Sequence, residues 1–345
     1  MKKFYVIIFL IICLLTSLCA CNSPTNNNDD NYTKELTFSP IGNGNSYAVS
    51  VGSANKLSNI IIPRKYNNKP VTTILENAFK NCEDLISITL PNTITLIEES
   101  AFYGCSSLES INLSSALTTI ENYAFYNCLS LKSINFPNSL TSIGVESFCN
   151  CTSITSLYIP KNIQEIGNKC FYKTSSLNEL TYDAINCNDF TYASKVFHTP
   201  NSNINVKLTI GNNVRRIPNN CFTFLDGGVS SSYALEQRKF NIVNFLEGSE
   251  EIGESAFRGF RTCTTLNLPN SLKIIGKKAL SQITNITKIT IPANITYIGE
   301  EAFERCSNVT QIKYLNTVDS WNNINKGAYI FNGLNLNVEC SNGVA

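Results

Sequence analysis

Histidine is almost missing from this chain: His198 is the only one, and methionine and tryptophan also occur once each. One imidazole cannot assemble a His-based catalytic triad or a multi-His metal site within one chain. An excess of charge is missing too. Lys plus Arg is 27 and Asp plus Glu is 26, a net charge of +1, and loss of Lys2 and Lys3 with a leader would bring it to about neutral. With no cluster of Lys and Arg, a basic face for nucleic acid is excluded. Cysteine is plentiful, at 14 residues, yet no two are spaced as CxxC, the pattern a metal or redox site would use. An apolar content of 43% sets the chain apart from disordered sequences and suffices for a continuous core.

What is present is a repeat of 23 residues. Ala-Phe recurs at Ala78-Phe79, Ala101-Phe102 and Ala124-Phe125, continues as Ser147-Phe148 and Cys170-Phe171, and returns at Ala256-Phe257, Ala279-Leu280 and Ala302-Phe303. A fixed period of this size marks a solenoid, whose repeats bury their apolar faces only by stacking. Each repeat holds a short run such as Leu108-Glu109-Ser110-Ile111-Asn112-Leu113, with Leu108, Ile111 and Leu113 pointing inward as in a strand. Proline often follows and ends the strand (Pro91, Pro137, Pro160, Pro269, Pro292). A second apolar pair comes next, as at Ile94 and Ile97 or Leu140 and Ile143. The segment before Ala-Phe, often acidic as in Glu98-Glu99-Ser100, reads as one capped helical turn. Stacked rungs about 4.8 Å apart would form a long parallel sheet.

The spacing loosens in the middle. From Phe171 the next rungs fall at Phe197, Phe222 and Phe257, steps of 26, 25 and 35, so the array is irregular over 183–250 and 226–239 reads as an inserted loop. Insertions in solenoids sit on one face, where they either serve binding or are neutral. The ends differ from the repeats: 36–74 reads as an N-terminal β cap, 75–315 as the solenoid and 316–345, with Trp321 and Phe331, as a C-terminal cap.

The first 20 residues have a basic start, Lys2-Lys3, and an apolar stretch from Val6 to Leu15 that is short for a membrane span. They end in Leu18-Cys19-Ala20-Cys21, which resembles a bacterial lipobox. The resemblance implies cleavage before Cys21 and lipidation of its sulfur; an ordinary secretory signal beside an incidental cysteine is the other reading. Residues 21–35 would then be the lipidated cysteine and a polar tether, and more than one acyl chain would make attachment stable. Asn22 does not resemble the inner-membrane retention signal of Asp at that position, which points to the outer membrane or cell surface. Eleven cysteines remain beyond Cys21, an odd number that cannot all pair internally. Cys82, Cys105, Cys128, Cys151 and Cys306 each lie three residues after the repeat Phe, a slot shared with Thr174, Phe260 and Ile283, and so read as buried packing thiols.

The runs Ile298-Gly299-Glu300-Glu301-Ala302-Phe303-Glu304-Arg305-Cys306 and Ile97-Glu98-Glu99-Ser100-Ala101-Phe102-Tyr103-Gly104-Cys105 resemble the BspA-type leucine-rich repeats. The resemblance covers about residues 40 to 340. It implies a repeat solenoid of the leucine-rich-repeat type: a curved parallel β-sheet on the concave side, short helical turns and loops opposite, and caps at both ends. It also implies a bacterial surface protein, some relatives being implicated in binding host matrix proteins or other bacteria, with no catalytic residues or cofactor to carry over. The expected partner is a protein or glycan on a host or neighbouring cell, the only membrane contact being the lipid anchor, and the chain is expected to be monomeric.

The outward strand positions are Ser87, Thr89, Ser110, Asn112, Ser133, Asn135, Ser156, Tyr158, Glu179 and Thr181, followed by Lys288, Thr290, Gln311 and Lys313. They form a small, polar face able to hydrogen-bond a ligand; equally, such residues are what soluble outward strand positions contain. A second candidate stripe is Tyr103, Tyr126 and Tyr172, with Cys149 standing in the intervening rung, which would suit contact with a glycan or protein or pack over the adjacent rung. The pairs Glu98-Glu99, Glu250-Glu251 and Glu300-Glu301 recur before the turns, which fits capping rather than a single hydrolytic dyad. His198 reads as a loop residue. The reading is therefore a non-catalytic, adhesin-like surface lipoprotein, or alternatively a glycan-capture or scaffold component of an envelope assembly.

Overall fold

Every 23 residues the chain returns to the same three positions, and in the computed structural model each return is a ladder of contacts between rungs. The structure describes residues 31–191, 194–198, 204–223 and 239–345. Cys21, the leader and most of the polar tether lie outside the described residues, as does the 226–239 insertion except for Lys239, which opens a strand. Tyr32–Ala345 forms one compact unit.

The first ladder is the strand before each proline. Asn59–Ile61, Ser87–Thr89 and Ser110–Asn112 pair in parallel, in register at one repeat per step. A second stretch runs through Ser156–Ile159, Glu179–Tyr182, Asn205–Ile210, Lys239–Phe245 and Thr265–Asn267. A third joins Lys288–Ile291, Gln311–Tyr314 and Val338–Cys340. The single long sheet expected from the sequence is thus divided into three. In all three, alternate residues point inward, as a half-buried strand requires: Ile88, Ile111, Leu157, Leu180, Leu208, Val243, Ile289 and Ile312 are buried.

The second ladder consists mostly of two-residue strands after the proline. Lys69–Ile74 leads to Leu96–Ile97, Thr119–Ile120, Ser142–Ile143 and Glu165–Ile166. It resumes as Arg216–Ile217, Glu251–Ile252, Ile274–Ile275, Tyr297–Ile298 and Asn325–Lys326. Between these halves, the irregular segment after Tyr182 takes the missing rung's place, with Ile185 N–H donating to Lys161 O and Asn188 N–H to Gln164 O.

The third ladder is the Ala-Phe turn, and its backbone differs from a helical turn. Where both flanks are described, the residues two before and two after the Phe have positive φ: Asn77 and Asn81 about Phe79, Tyr123 and Asn127 about Phe125, Glu301 and Arg305 about Phe303. Left-handed residues cannot continue a right-handed helix, and Asn and Gly tolerate this region best. The backbone N–H groups so released point at the next rung. Phe79 N–H donates to Ala101 O at 2.7 Å, Phe102 to Ala124 at 2.7 Å and Phe303 to Ile330 at 2.9 Å. The acidic residues before the turn act across rungs instead of capping helices: Glu98 accepts the Glu76 N–H, while Glu250, Glu300 and Glu301 pair with Lys273, Lys277 and Lys278.

The Phe rings stack into the centre of the core. Successive centroids from Phe79 through Phe102, Phe125, Phe148, Phe171, Phe197 and Phe222 to Phe257 are 5.0–5.5 Å apart, with interplanar angles of 26° or less. The steps of 26, 25 and 35 residues leave this stack unbroken. Leu280 then fills the slot, and Phe303 stacks on Phe331, which belongs to the last rung. At the N-terminal end, Thr37–Ile41 and Ser46–Ser50 form an antiparallel hairpin whose second strand pairs with Lys69–Ile74. At the other end, the short helix Val318–Asn322 buries Trp321 against Tyr314 and Phe331, and Gly343–Val344 pairs antiparallel with Val338–Cys340.

Candidate functional site

The outward residues of the strand ladder share one face because side chains alternate. Thr89, Ser110, Asn112, Ser133, Asn135, Ser156, Tyr158 and Glu179 are exposed, while Ser87 and Thr181 are half-buried. Ser87 donates its hydroxyl to Asn59 Oδ1 at 2.6 Å, so the polar face begins one rung earlier than the sequence suggested, at Asn59 and Ile61. The sequence reading also passed over the centre of the face. Strand register aligns Glu179, Lys207, Ile242 and Thr265 in one row, and Thr181, Thr209, Asn244 and Asn267 in the next. The alternation Val206, Leu208, Ile210 marks this strand in the sequence, but the uneven rung spacing hid its alignment.

Two features break the uniformity of the face. The first is a seam. Lys132 N–H donates to Glu109 O, and Thr155 N–H donates to Lys132 O, so the rung enters in step with its neighbours. Beyond that point, Ser133 to Phe136 make no backbone hydrogen bond to either adjacent rung, although Ile134 and Phe136 stay buried. Phe136 meets Phe148 edge-on at 5.4 Å; Phe245 meets Phe257 in the same way from a paired strand, so ring size alone does not open the seam.

The second feature sits on the next rung. Tyr158 is 45% exposed and is a large aromatic in a row that continues in the small polar residues Thr181, Thr209 and Asn244. Its phenol donates to Asp183 Oδ2 at 2.7 Å. Burial, followed by the hydrogen bond to Asp183 and its charge, pushes the phenol up to about 12, so it remains a protonated donor at neutral pH. Gly211 makes room for this pair: a Cβ there would fall on Asp183 Oδ1. The result is a ring fixed by a carboxylate that itself lies against bare backbone.

The tyrosine stripe is of a different kind. Tyr103 and Tyr126 are half-buried and stack on each other at 4.9 Å and 7°. Lys80 lies 5.2 Å from the Tyr103 centroid, and Lys169 and Lys173 approach Tyr172. Cys149 is buried in the intervening slot, and His198, outside any helix or strand as the sequence implies, is buried beside Tyr172. Much of the stripe's ring surface is therefore spent on its own neighbours.

The cysteines of the repeat are buried and free. Their thiols also connect rungs: Cys105 Sγ donates to Phe79 O at 3.0 Å, and Cys128 and Cys151 donate to Phe102 and Phe125 O at 3.2 Å. Burial raises the Cys105 thiol to about 12, which removes the nucleophilic thiolate. Among the described residues there is no group of three or more His, Cys, Asp or Glu able to hold a metal ion. The strongest charge cluster is structural: Arg216 grips Asp189 through two nitrogens and Glu251 through Nε at 3.0 Å, and Asp189 also accepts the Asn219 N–H. It pins the irregular segment to the next two rungs.

The pattern described as BspA type Leucine rich repeat region matches residues 72–197 and 230–339 in six copies. The chain belongs to the BspA-type leucine-rich-repeat family. Solved structures similar to this BspA-type chain include the T. pallidum leucine-rich-repeat protein, at 20% identity over 74% of this chain and 89% of that one, with a TM-score of 0.44. A leucine-rich-repeat protein from Bacteroides ovatus is 22% identical over 89% and 92%, with a TM-score of 0.41. The pneumococcal vaccine antigen PcpA is 19% identical over 90% and 87%, with a TM-score of 0.40. No curated protein matches the chain. No helix among the described residues is long and apolar enough to cross a membrane.

Proposed function

We propose that this BspA-type protein is a lipid-anchored, non-catalytic surface protein whose strand face binds a macromolecule displayed on a host or neighbouring bacterial cell. The observation that carries the reading is the exposed polar strand face, with an oriented aromatic at its centre, on a solenoid whose stacked rungs bury a continuous apolar core. Membership of a repeat family of the protein-binding kind supports it. The lipobox-like Leu18-Cys19-Ala20-Cys21 supports anchoring through Cys21 and export to the outer membrane or cell surface. Solenoid insertions and strand faces vary without disturbing the core, which suits adaptation to different ligands.

Two experiments test the proposal. Palmitate labelling of cells expressing the full chain should mark it, and Cys21→Ala should abolish the label; a labelled Cys21→Ala variant would contradict the anchor. The purified full chain should bind saturably to a panel of matrix glycoproteins, and bulky charged residues at Ser110, Asn112, Ser133 and Asn135 should weaken binding at least tenfold. Binding unchanged by those four substitutions would move the ligand off the strand face.

A further inference from the structure

The centre of the strand face differs from its ends in its chemistry, and the difference specifies a class of ligand. Tyr158 presents a half-exposed ring whose hydroxyl is held by Asp183. The row through that ring contains Asn135 on one side and Thr181, Thr209, Asn244 and Asn267 on the other, without a single charge. The parallel row of Ser156, Glu179, Lys207, Ile242 and Thr265 has one charge of each sign and no net charge. Along the near side of the ring lies the seam, where Ser133 to Phe136 have no rung-to-rung backbone hydrogen bonds.

From this arrangement we infer that the strand face carries a saccharide subsite at Tyr158, taking a neutral pyranose whose C–H face stacks on the phenol ring while its hydroxyls bond to Asp183, Asn135 and Thr181. The inference rests on the proposed strand-face function and narrows its ligand to a glycan, free or on a glycoprotein.

Three physical arguments favour a sugar over a polypeptide. Sugar hydroxyls both donate and accept, matching a set that contains an acceptor-only carboxylate, carboxamides and hydroxyls. The row itself carries no charge, and the one carboxylate beside it, Asp183, is already bonded to Tyr158, so the site offers a charged peptide little; the face also lacks the Trp and Arg anchors of tight protein interfaces. Strand addition by a peptide needs an open sheet edge, whereas the seam lies between stacked rungs whose side chains Leu131, Ile134 and Ile154 are buried. Fixing the ring beforehand through Asp183 also reduces the ordering cost on binding.

The test uses the purified full chain against immobilised neutral oligosaccharides of glucose, galactose and mannose, alongside unglycosylated and glycosylated forms of one matrix protein. At least one neutral oligosaccharide should bind, with Tyr158→Ala weakening it at least tenfold and Tyr158→Phe by about two- to fivefold, since the ring remains and only the phenol is lost. Gly211→Ala should also weaken it, because the added methyl displaces the Asp183 carboxylate although neither Tyr158 nor Asp183 is itself replaced; Lys313→Ala, at the far end of the face, should not. Unchanged thermal melting of the Tyr158 variants separates loss of binding from loss of fold, with Gly211→Ala, at a buried position, compared with wild type in the same way. Binding to unglycosylated protein alone, still sensitive to Ser133 and Asn135, would overturn the saccharide subsite and leave the strand-face function standing. Saccharide binding indifferent to Tyr158→Ala would overturn the site. Silence toward every oligosaccharide and both protein forms would overturn both.

Discussion

The turn side and the strand side of this solenoid both bridge the irregular middle, yet only the strand side is interrupted, and within regular 23-residue repeats. On the turn side, the Phe stack runs from Phe79 to Phe257 without a gap, absorbing steps of 26, 25 and 35 residues. On the strand side, the sheet falls into three stretches, parted around Ser133–Phe136 and between Thr265–Asn267 and Lys288–Ile291. The turn side couples left-handed backbone and rung-to-rung N–H···O bonds with stacked rings, Leu280 standing in for one ring, so each element enforces the register of the others. The strand side depends on backbone pairing, with outward side chains that contribute little to the core. Register is kept where side chains are buried, and variation is tolerated where they meet solvent.

Removing one ring should separate the two sides most sharply. Phe125→Ala, in the middle of the stack, should cost about 3–5 kcal/mol by chemical denaturation, whereas Asn135→Ala on the strand face should change stability by less than about 0.5 kcal/mol. Comparable losses from both would undo the comparison. Next in size is a methyl at the corner between the sides: a Cβ at Gly276 would meet the backbone around Gly253 and Glu254 of the preceding rung. Gly276→Ala should therefore cost about 1–3 kcal/mol, and a neutral result would mean the rungs are free to separate there.

The Asp189–Arg216 junction should give a smaller, pH-dependent effect. The Arg216 guanidinium lowers the Asp189 carboxyl below its usual value, so the stabilisation is complete above the unfolded value of about 4 and is lost as pH falls through the lower folded value. Because both groups are partly exposed, Asp189→Asn should cost only about 1 kcal/mol at pH 7 and flatten the stability profile below pH 4. An unchanged profile would remove the junction's role in holding the irregular segment. Least perturbing is thiol labelling: at pH 8 the native chain should react with a thiol reagent at Cys340 at most among the eleven cysteines beyond Cys21, and at all eleven once denatured. Rapid native labelling at Cys105 or Cys128 would show that the turn side opens.

Much of this comparison is legible in the sequence, though unevenly. The 23-residue period, the buried Cys slot and the outward Ser, Thr and Asn positions follow from spacing and side-chain chemistry alone. The left-handed pairs around each Phe are less visible, because their positions also accept Tyr123, Glu146 and Lys169, whose types do not announce positive φ. The seam is invisible: Leu131-Lys132-Ser133-Ile134-Asn135-Phe136 reads like its paired neighbours. The Tyr158–Asp183 contact joins residues 25 apart, not 23, and requires Gly211 from a rung whose offset the irregular spacing concealed. Pattern therefore found the strand face, while the seam and the Tyr158–Asp183 contact within it come from three-dimensional packing that the repeat spacing does not display.

The turn ladder thus holds the register, while the strand face is locally open at the seam. Native-state amide hydrogen exchange tests it most directly. The amides of Phe102, Phe125 and Phe148 should exchange only through global unfolding, with those of Leu157 and Leu180 close behind, while Ser133, Ile134 and Asn135 exchange through local opening and faster by orders of magnitude. Protection of Ser133 to Asn135 equal to that of Leu157 and Leu180 would close the seam and contradict the claim.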